Sequence, residues 1–177
     1  VCVTVSAEAA AQHLMGIVGS LPSDTASFKL HPPLRGAEDR AALIEGLLDG
    51  TIDCIATDHA PHGEEEKQGG MVGAPFGIVG IETAFQLMYS NFVLGGVFTL
   101  KQLVDWMTVK PAALFGMESG TLDIGSQADI AIFDLENEYE IRSEDFLSKA
   151  TNTPFTGWKV KGETLYTIVD GKVVYAK

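Results

Sequence analysis

One hexapeptide, Thr57-Asp58-His59-Ala60-Pro61-His62, limits the folds open to this chain more than any other stretch. The apolar run Ile52-Asp53-Cys54-Ile55-Ala56 leads into it and reads as a short buried strand. Pro61 stiffens the backbone and keeps that strand from continuing. A carboxylate and two histidines therefore emerge where a strand ends. In parallel α/β architectures that edge is where ligands and chemistry collect. The plainer alternative makes Asp58 the cap of a following helix and the histidines ordinary loop residues, because D-H-x-x-H is a short pattern.

The flanking sequence supplies the other parts of an α/β unit. Leu43, Ile44, Leu47 and Leu48 fall on one face at helical spacing, with Glu38 and Asp39 suited to the first turn and Gly50 to the stop. This predicts a helix leading into the strand before Asp58, the rhythm of a barrel wall. Further on, Ile81, Ala84, Phe85, Met88 and Phe92 make an apolar stripe. Thr99 reads as the N-cap of a helix that turns Leu100, Leu103, Val104 and Met107 inward, and Pro111 opens another short helix. From Ala128 the pattern turns to β: Ile130-Ala131-Ile132-Phe133 is a strand, Tyr139 and Ile141 alternate with charges, and residues 165–175 form a hairpin around Asp170-Gly171 with one face expected to be buried. Residues 16–28 are turn-rich, and residues 63–73, with four glycines and several charges, read as a solvated loop or a mobile flap. Val1-Cys2-Val3-Thr4-Val5 opens the chain in a strand pattern that needs partners.

Charge narrows the partners. Twelve basic against 24 acidic residues give a net charge of −12, which argues against nucleic acid and against an anionic membrane surface. No apolar run approaches the ~20 residues of a membrane span. Cys2 and Cys54 both lie in apolar runs, which suits a reducing, cytoplasmic setting better than a disulfide framework.

Several motifs occur together and in order. His31-Pro32-Pro33-Leu34-Arg35 with Glu38-Asp39-Arg40, Thr57-Asp58-His59-Ala60-Pro61-His62, Ala74-Pro75-Phe76-Gly77-Ile78-Val79-Gly80 with Glu82-Thr83-Ala84, and Asn152-Thr153-Pro154-Phe155 with Gly157-Trp158 resemble successive segments of dihydroorotases, in the amidohydrolase superfamily. Residues 125–134 resemble the superfamily's return into a small β domain. Residues 9–14 read A-A-A-Q-H-L where the resembled motif reads V-T-P-H-H-L. His31 stands where the family commonly carries an asparagine.

The resemblance implies an α/β fold: the C-terminal part of a (β/α)8 TIM-type barrel, its last two strands and helices, over residues 1–118, and part of a small β-sandwich domain over residues 119–177. The chain would then be a portion of a longer enzyme, with most metal ligands before Val1, and inactive alone. The implied reaction is the reversible interconversion of N-carbamoyl-L-aspartate and dihydroorotate in pyrimidine synthesis, with one or two zinc ions. Asp58 would bind metal and carry the proton from attacking water to the leaving nitrogen. His31, His62, Phe76 and Gly77 would bind substrate. His59 points away from Asp58 in an extended segment and is expected to support or pack, while His13 is a possible ligand but a lone histidine there is more often structural. The expected partners are a small-molecule substrate, a second copy of the chain, since unpartnered barrel edges associate, and another pyrimidine-pathway enzyme. The competing readings are another cyclic amidohydrolase, such as an allantoinase or hydantoinase, and a non-catalytic dihydroorotase-like subunit that scaffolds a partner.

Overall fold

The computed structural model describes Val3, residues 5–16 and residues 26–177. Its centre is a pair of short parallel strands, β1 (Glu8–Ala10) and β2 (Cys54–Ala56), in the register Glu8 to Cys54, Ala9 to Ile55 and Ala10 to Ala56. Just before the pair, Asp53 and Ala7 lock together: the Ala7 N–H donates to the Asp53 carboxylate at 2.8 Å, and the Asp53 N–H donates to the Ala7 carbonyl at 2.9 Å. That lock sets where pairing begins. The expected strand at residues 1–5 is therefore displaced: Val3 and Val5 are exposed and outside any strand, and Val1, Cys2 and Thr4 lie outside the described residues. Most of the turn-rich stretch 16–28 also lies outside them, and Ala26–Phe28 is a single 3₁₀ turn.

Helices cover this strand pair. α1 (Ala11–Met15) follows β1 directly, and α2 (Ala37–Asp49) spans the stretch that the 3.6-residue period predicts. Asp39 takes the orphan Gly36 N–H at 3.2 Å, and Gly50 ends the helix in the left-handed conformation, φ 86°. Leu47 is buried and Leu43 and Ile44 half-buried, but Leu48 faces out. α3 (Glu64–Lys67) and α4 (Gly70–Gly73) are two short turns within the expected loop, with no buried residue. α5 (Ala84–Met88) runs into a π-helical turn at Tyr89–Val93; Ala84, Met88 and Phe92 are buried as the stripe requires, whereas Ile81 is exposed. α6 (Leu100–Met107) is capped reciprocally by Thr99 and Gln102, and α7 (Val109–Leu114) carries Pro111 in its first turn. On α6 the inward residues are Leu103 and Trp106, not the full predicted set, since Leu100 and Val104 remain exposed. Leu14, Leu47, Ile78, Leu87, Met88, Phe92 and Leu103 form the fully buried centre.

The β-rich remainder divides in two. β3 (Ile130–Asp134), β6 (Glu163–Val169) and β7 (Lys172–Ala176) make an antiparallel sheet in the order β3-β6-β7; β4 (Tyr139–Glu140) and β5 (Lys159–Val160) pair separately. Asp170 and Gly171 turn the β6–β7 hairpin, both at positive φ, 50° and 71°, as a two-residue hairpin turn requires. The expected buried face of that hairpin is not found: its residues are half-buried or exposed, because among the described residues little packs on the sheet beyond Phe85, stacked 3.9 Å from Phe133. The stretch around β4 and β5 behaves differently. Ile141, Phe155 and Val160 join the same core as α5 and α6.

Candidate functional site

β2 ends at Ala56, and two residues later Asp58 takes φ 47°, the left-handed region that a non-glycine residue rarely occupies. This kink turns the hexapeptide out of the strand line. His59 then pairs in parallel with Ile78, and the Ala60 N–H donates to the Ile78 carbonyl at 2.8 Å. The hexapeptide thus lies alongside residues 75–79. Gly77 makes that approach possible: at φ 113° it holds a conformation that favours glycine, and a Cβ there would collide with the Cβ of Ala60. The close neighbour that the Pro75-Phe76-Gly77 glycine accommodates is thus the hexapeptide itself.

Asp58 opens on a cavity of about 480 Å³ whose lining includes Glu8, His13, His31, Arg35 and Asp39. Of the residues expected to bind substrate, His31 lines this cavity, and His62, Phe76 and Gly77 do not. They remain linked to it: His31 meets Phe76 edge-on at 5.5 Å, and the Lys29 ammonium sits 4.8 Å above the Phe76 ring. The His62 Nε2–H donates to the Phe76 carbonyl at 2.9 Å, while Nδ1 lies 3.6 Å from the Glu66 carboxylate. To donate this N–H to a ligand, His62 would have to release that carbonyl. Lys29 also holds the Val72 carbonyl and Lys67 the Pro75 carbonyl, each at 2.9 Å, so one ammonium ties the loop 63–75 to the segment after the 3₁₀ turn and the other closes the loop on itself. Burial, and then the Lys29 charge, pull the Lys67 ammonium below its usual pKa.

The two remaining histidines are held by the protein. His59 Nδ1 accepts the Gly80 and Ile81 N–H groups at 3.2 and 3.4 Å, which places its proton on Nε2 and gives the ring a supporting role. His13 donates to the Pro32 carbonyl at 2.7 Å, tying α1 to the His31-Pro32-Pro33 segment.

Two further residues shape the site. Asn152 reaches across 90 residues: its side-chain oxygen accepts the His62 N–H at 3.0 Å, its amide donates to the Ala60 and Gly77 carbonyls at 3.3 and 3.2 Å, and its own carbonyl accepts the Val79 N–H at 2.9 Å. It clips the hexapeptide to residues 77–79. Gln12, on α1, donates its Nε2–H to Asp58 Oδ2 at 3.3 Å. Only the quoted N-T-P-F motif pointed toward Asn152, and nothing pointed to Gln12 as a partner of Asp58.

Zinc, which the resemblance implies, asks for about three protein ligands in a catalytic site. Among the described residues no three His, Cys, Asp or Glu side chains converge as a metal would need, and the close polar side chain at Asp58 is an amide. These residues alone do not fit the ion.

The chain is 60% identical over 173 residues to a dihydroorotase of Enterococcus faecalis, a match covering 98% of this chain and 40% of that protein. It is 56% identical over 175 residues to one of Bacillus caldolyticus, covering 99% and 41%. The chain therefore spans about two fifths of the length of these curated relatives. Among solved structures, an L-hydantoinase (dihydropyrimidinase) from Arthrobacter aurescens superposes with a TM-score of 0.86 at 35% identity, covering 97% of this chain and 39% of that one. A dihydropyrimidinase from Brevibacillus agri gives 0.86 at 28% identity with the same coverage. The Amidohydrolase family model matches residues 4–174, a span that takes in the parallel strand pair with its hexapeptide and all but the last two residues of the terminal β hairpin, so the chain belongs to the amidohydrolase family.

Proposed function

We propose that this chain forms part of a dihydroorotase, interconverting N-carbamoyl-L-aspartate and dihydroorotate, with Asp58 as its acid–base group. The observation that carries the reading is the placement of Asp58: a carboxylate kinked out of the end of β2, lining a cavity, in a sequence 60% identical to a dihydroorotase. Opening a cyclic amide requires a water to lose a proton as it attacks the carbonyl and the ring nitrogen to gain one as it leaves. A single carboxylate within reach of both atoms serves each transfer in turn. His31 and Phe76 would position the ring and its substituents, Gly77 would let backbone approach it, and His62 would donate to a substrate oxygen once released from Phe76.

Zinc, as one ion or two, would have to draw on ligands besides Asp58, and no step is assigned to it. A small-molecule substrate, self-association and contact with another enzyme of the same pathway complete the proposal. A cytoplasmic location suits Cys54, which is buried and unbridged. No helix among the described residues is long and apolar enough to cross a membrane.

A second reading has its own support. The solved structures described above are hydantoinases or dihydropyrimidinases, so the substrate could be another cyclic amide. Turnover of dihydroorotate, hydantoin, dihydrouracil and allantoin by the full-length protein separates the two, and preference for any ring but dihydroorotate would overturn the first reading. In the same protein Asp58→Asn should lower turnover by ~10²–10⁴, the loss usual for a positioned acid–base group. Near-normal turnover would remove Asp58 from that role.

A further inference from the structure

Gln12 is 3% exposed, one of the few polar side chains so deeply buried, and its amide is aimed at Asp58. The strand register explains why they meet. Ala10 and Ala56 are paired partners at the ends of β1 and β2, and Gln12 and Asp58 each stand two residues beyond their strand's last residue. They occupy equivalent places on one edge of a parallel pair, where two ligating side chains would share a cation. In the resembled motif V-T-P-H-H-L a histidine stands at this place; here it is a glutamine. A histidine nitrogen or a second carboxylate turned toward Asp58 could share a metal ion with it. A carboxamide that points N–H at Oδ2 puts hydrogen where the ion would lie.

We propose that Gln12 is the positioning residue of Asp58. It pins Oδ2 with a hydrogen bond, leaves Oδ1 as the oxygen free to carry protons, and closes the β1 side of the carboxylate to a metal ion. Among the described residues Oδ1 has no hydrogen-bond partner. The proposal rests on Asp58 being the reacting carboxylate, but its main test uses no substrate and so survives failure of the dihydroorotase reading.

The test is bound zinc per full-length protein, by elemental analysis and by calorimetric titration with Zn²⁺, for the unaltered protein, Gln12→Leu, Gln12→His and the isosteric Gln12→Glu. Gln12→Leu should hold as much zinc as the unaltered protein. Gln12→Glu and Gln12→His should each bind zinc about tenfold or more tightly, and adding Asp58→Asn should abolish the gain. Zinc lost in Gln12→Leu would show the amide oxygen to be a ligand and overturn the proposal. So would unchanged zinc affinity in both Gln12→Glu and Gln12→His, which would mean that no cation position exists between the two strand ends. If the enzyme acts on dihydroorotate, Gln12→Leu should also lower kcat by about 10- to 100-fold with KM unchanged, the mark of a misplaced reacting group. A rise in KM with kcat intact would instead make Gln12 a substrate-binding residue.

Discussion

The edge of the β1–β2 pair and the sheet β3-β6-β7 are ordered by opposite means. At the first, two strands of three residues each would have little stability alone. They are fixed by what surrounds them: buried Leu14, Ile78 and Phe92, and side chains reaching across the chain from Gln12 and Asn152. At the second, backbone chemistry predominates: a backbone ladder, a left-handed Asp170-Gly171 turn, and an Asp134 carboxylate that takes the Glu136 and Asn137 N–H groups. Those bonds, led by the one from the Asn137 side chain, hold the Asp134 carboxyl below its usual pKa although the residue is only half-buried. Val173 and Val174 on that sheet are 58% and 61% exposed, against 1% for Phe92. The candidate site lies where side-chain contacts between distant segments dominate.

Substitutions can break this contrast. The largest loss should come from the covered region: Phe92→Ala removes a ring stacked 5.0 Å from Phe98 and 5.3 Å from the Arg40 guanidinium, and should cost about 3–5 kcal/mol in urea unfolding. Less than 1 kcal/mol would mean that the core has collapsed onto the gap or was never tight. Next comes Asn152→Ala, which leaves the His62 N–H and the Ala60 and Gly77 carbonyls without their partner; about 1–3 kcal/mol is expected. Its diagnostic sign is faster amide hydrogen exchange at His62 with exchange in the β6–β7 hairpin unaltered. Equal acceleration in both places would show that the two regions unfold as one. The smallest effect belongs to the open sheet: Val173→Thr should stay within about 0.5 kcal/mol, since an exposed strand residue has little packing to lose. A cost above ~1.5 kcal/mol would reveal that this face is covered in solution.

What the sequence revealed follows the same division. The helix ending at Gly50, the Thr99 cap and the Asp170-Gly171 hairpin are all written within a few adjacent residues, and all are found. Asp58 at the end of a strand was legible for the same reason. The clip by Asn152 and the Gln12–Asp58 bond span 90 and 46 residues, and no local period or cap encodes them. The inward face of α6 differs from the predicted stripe because spacing gives a stripe but not its centre; Trp106 and Leu103 lie at that centre, and Val104 at the edge. The buried face of the hairpin depends on more than the hairpin itself. Alternation shows that a strand has two unlike faces, but not that anything among the described residues covers one of them.

The left-handed backbone at Asp58 decides how any substitution series there must be read. Of the twenty residues, glycine, asparagine and aspartate enter that conformation with least strain, and β-branched residues with most. A saturation library at position 58 would thus be sorted twice, once by whether the new side chain moves protons and once by whether the chain can still kink at φ 47°. Alanine would fail on both counts and overstate the worth of the carboxylate. Asparagine alone keeps the bend and the shape while removing the proposed proton carrier, so the ratio of the alanine loss to the asparagine loss measures how much of the residue's importance is geometry.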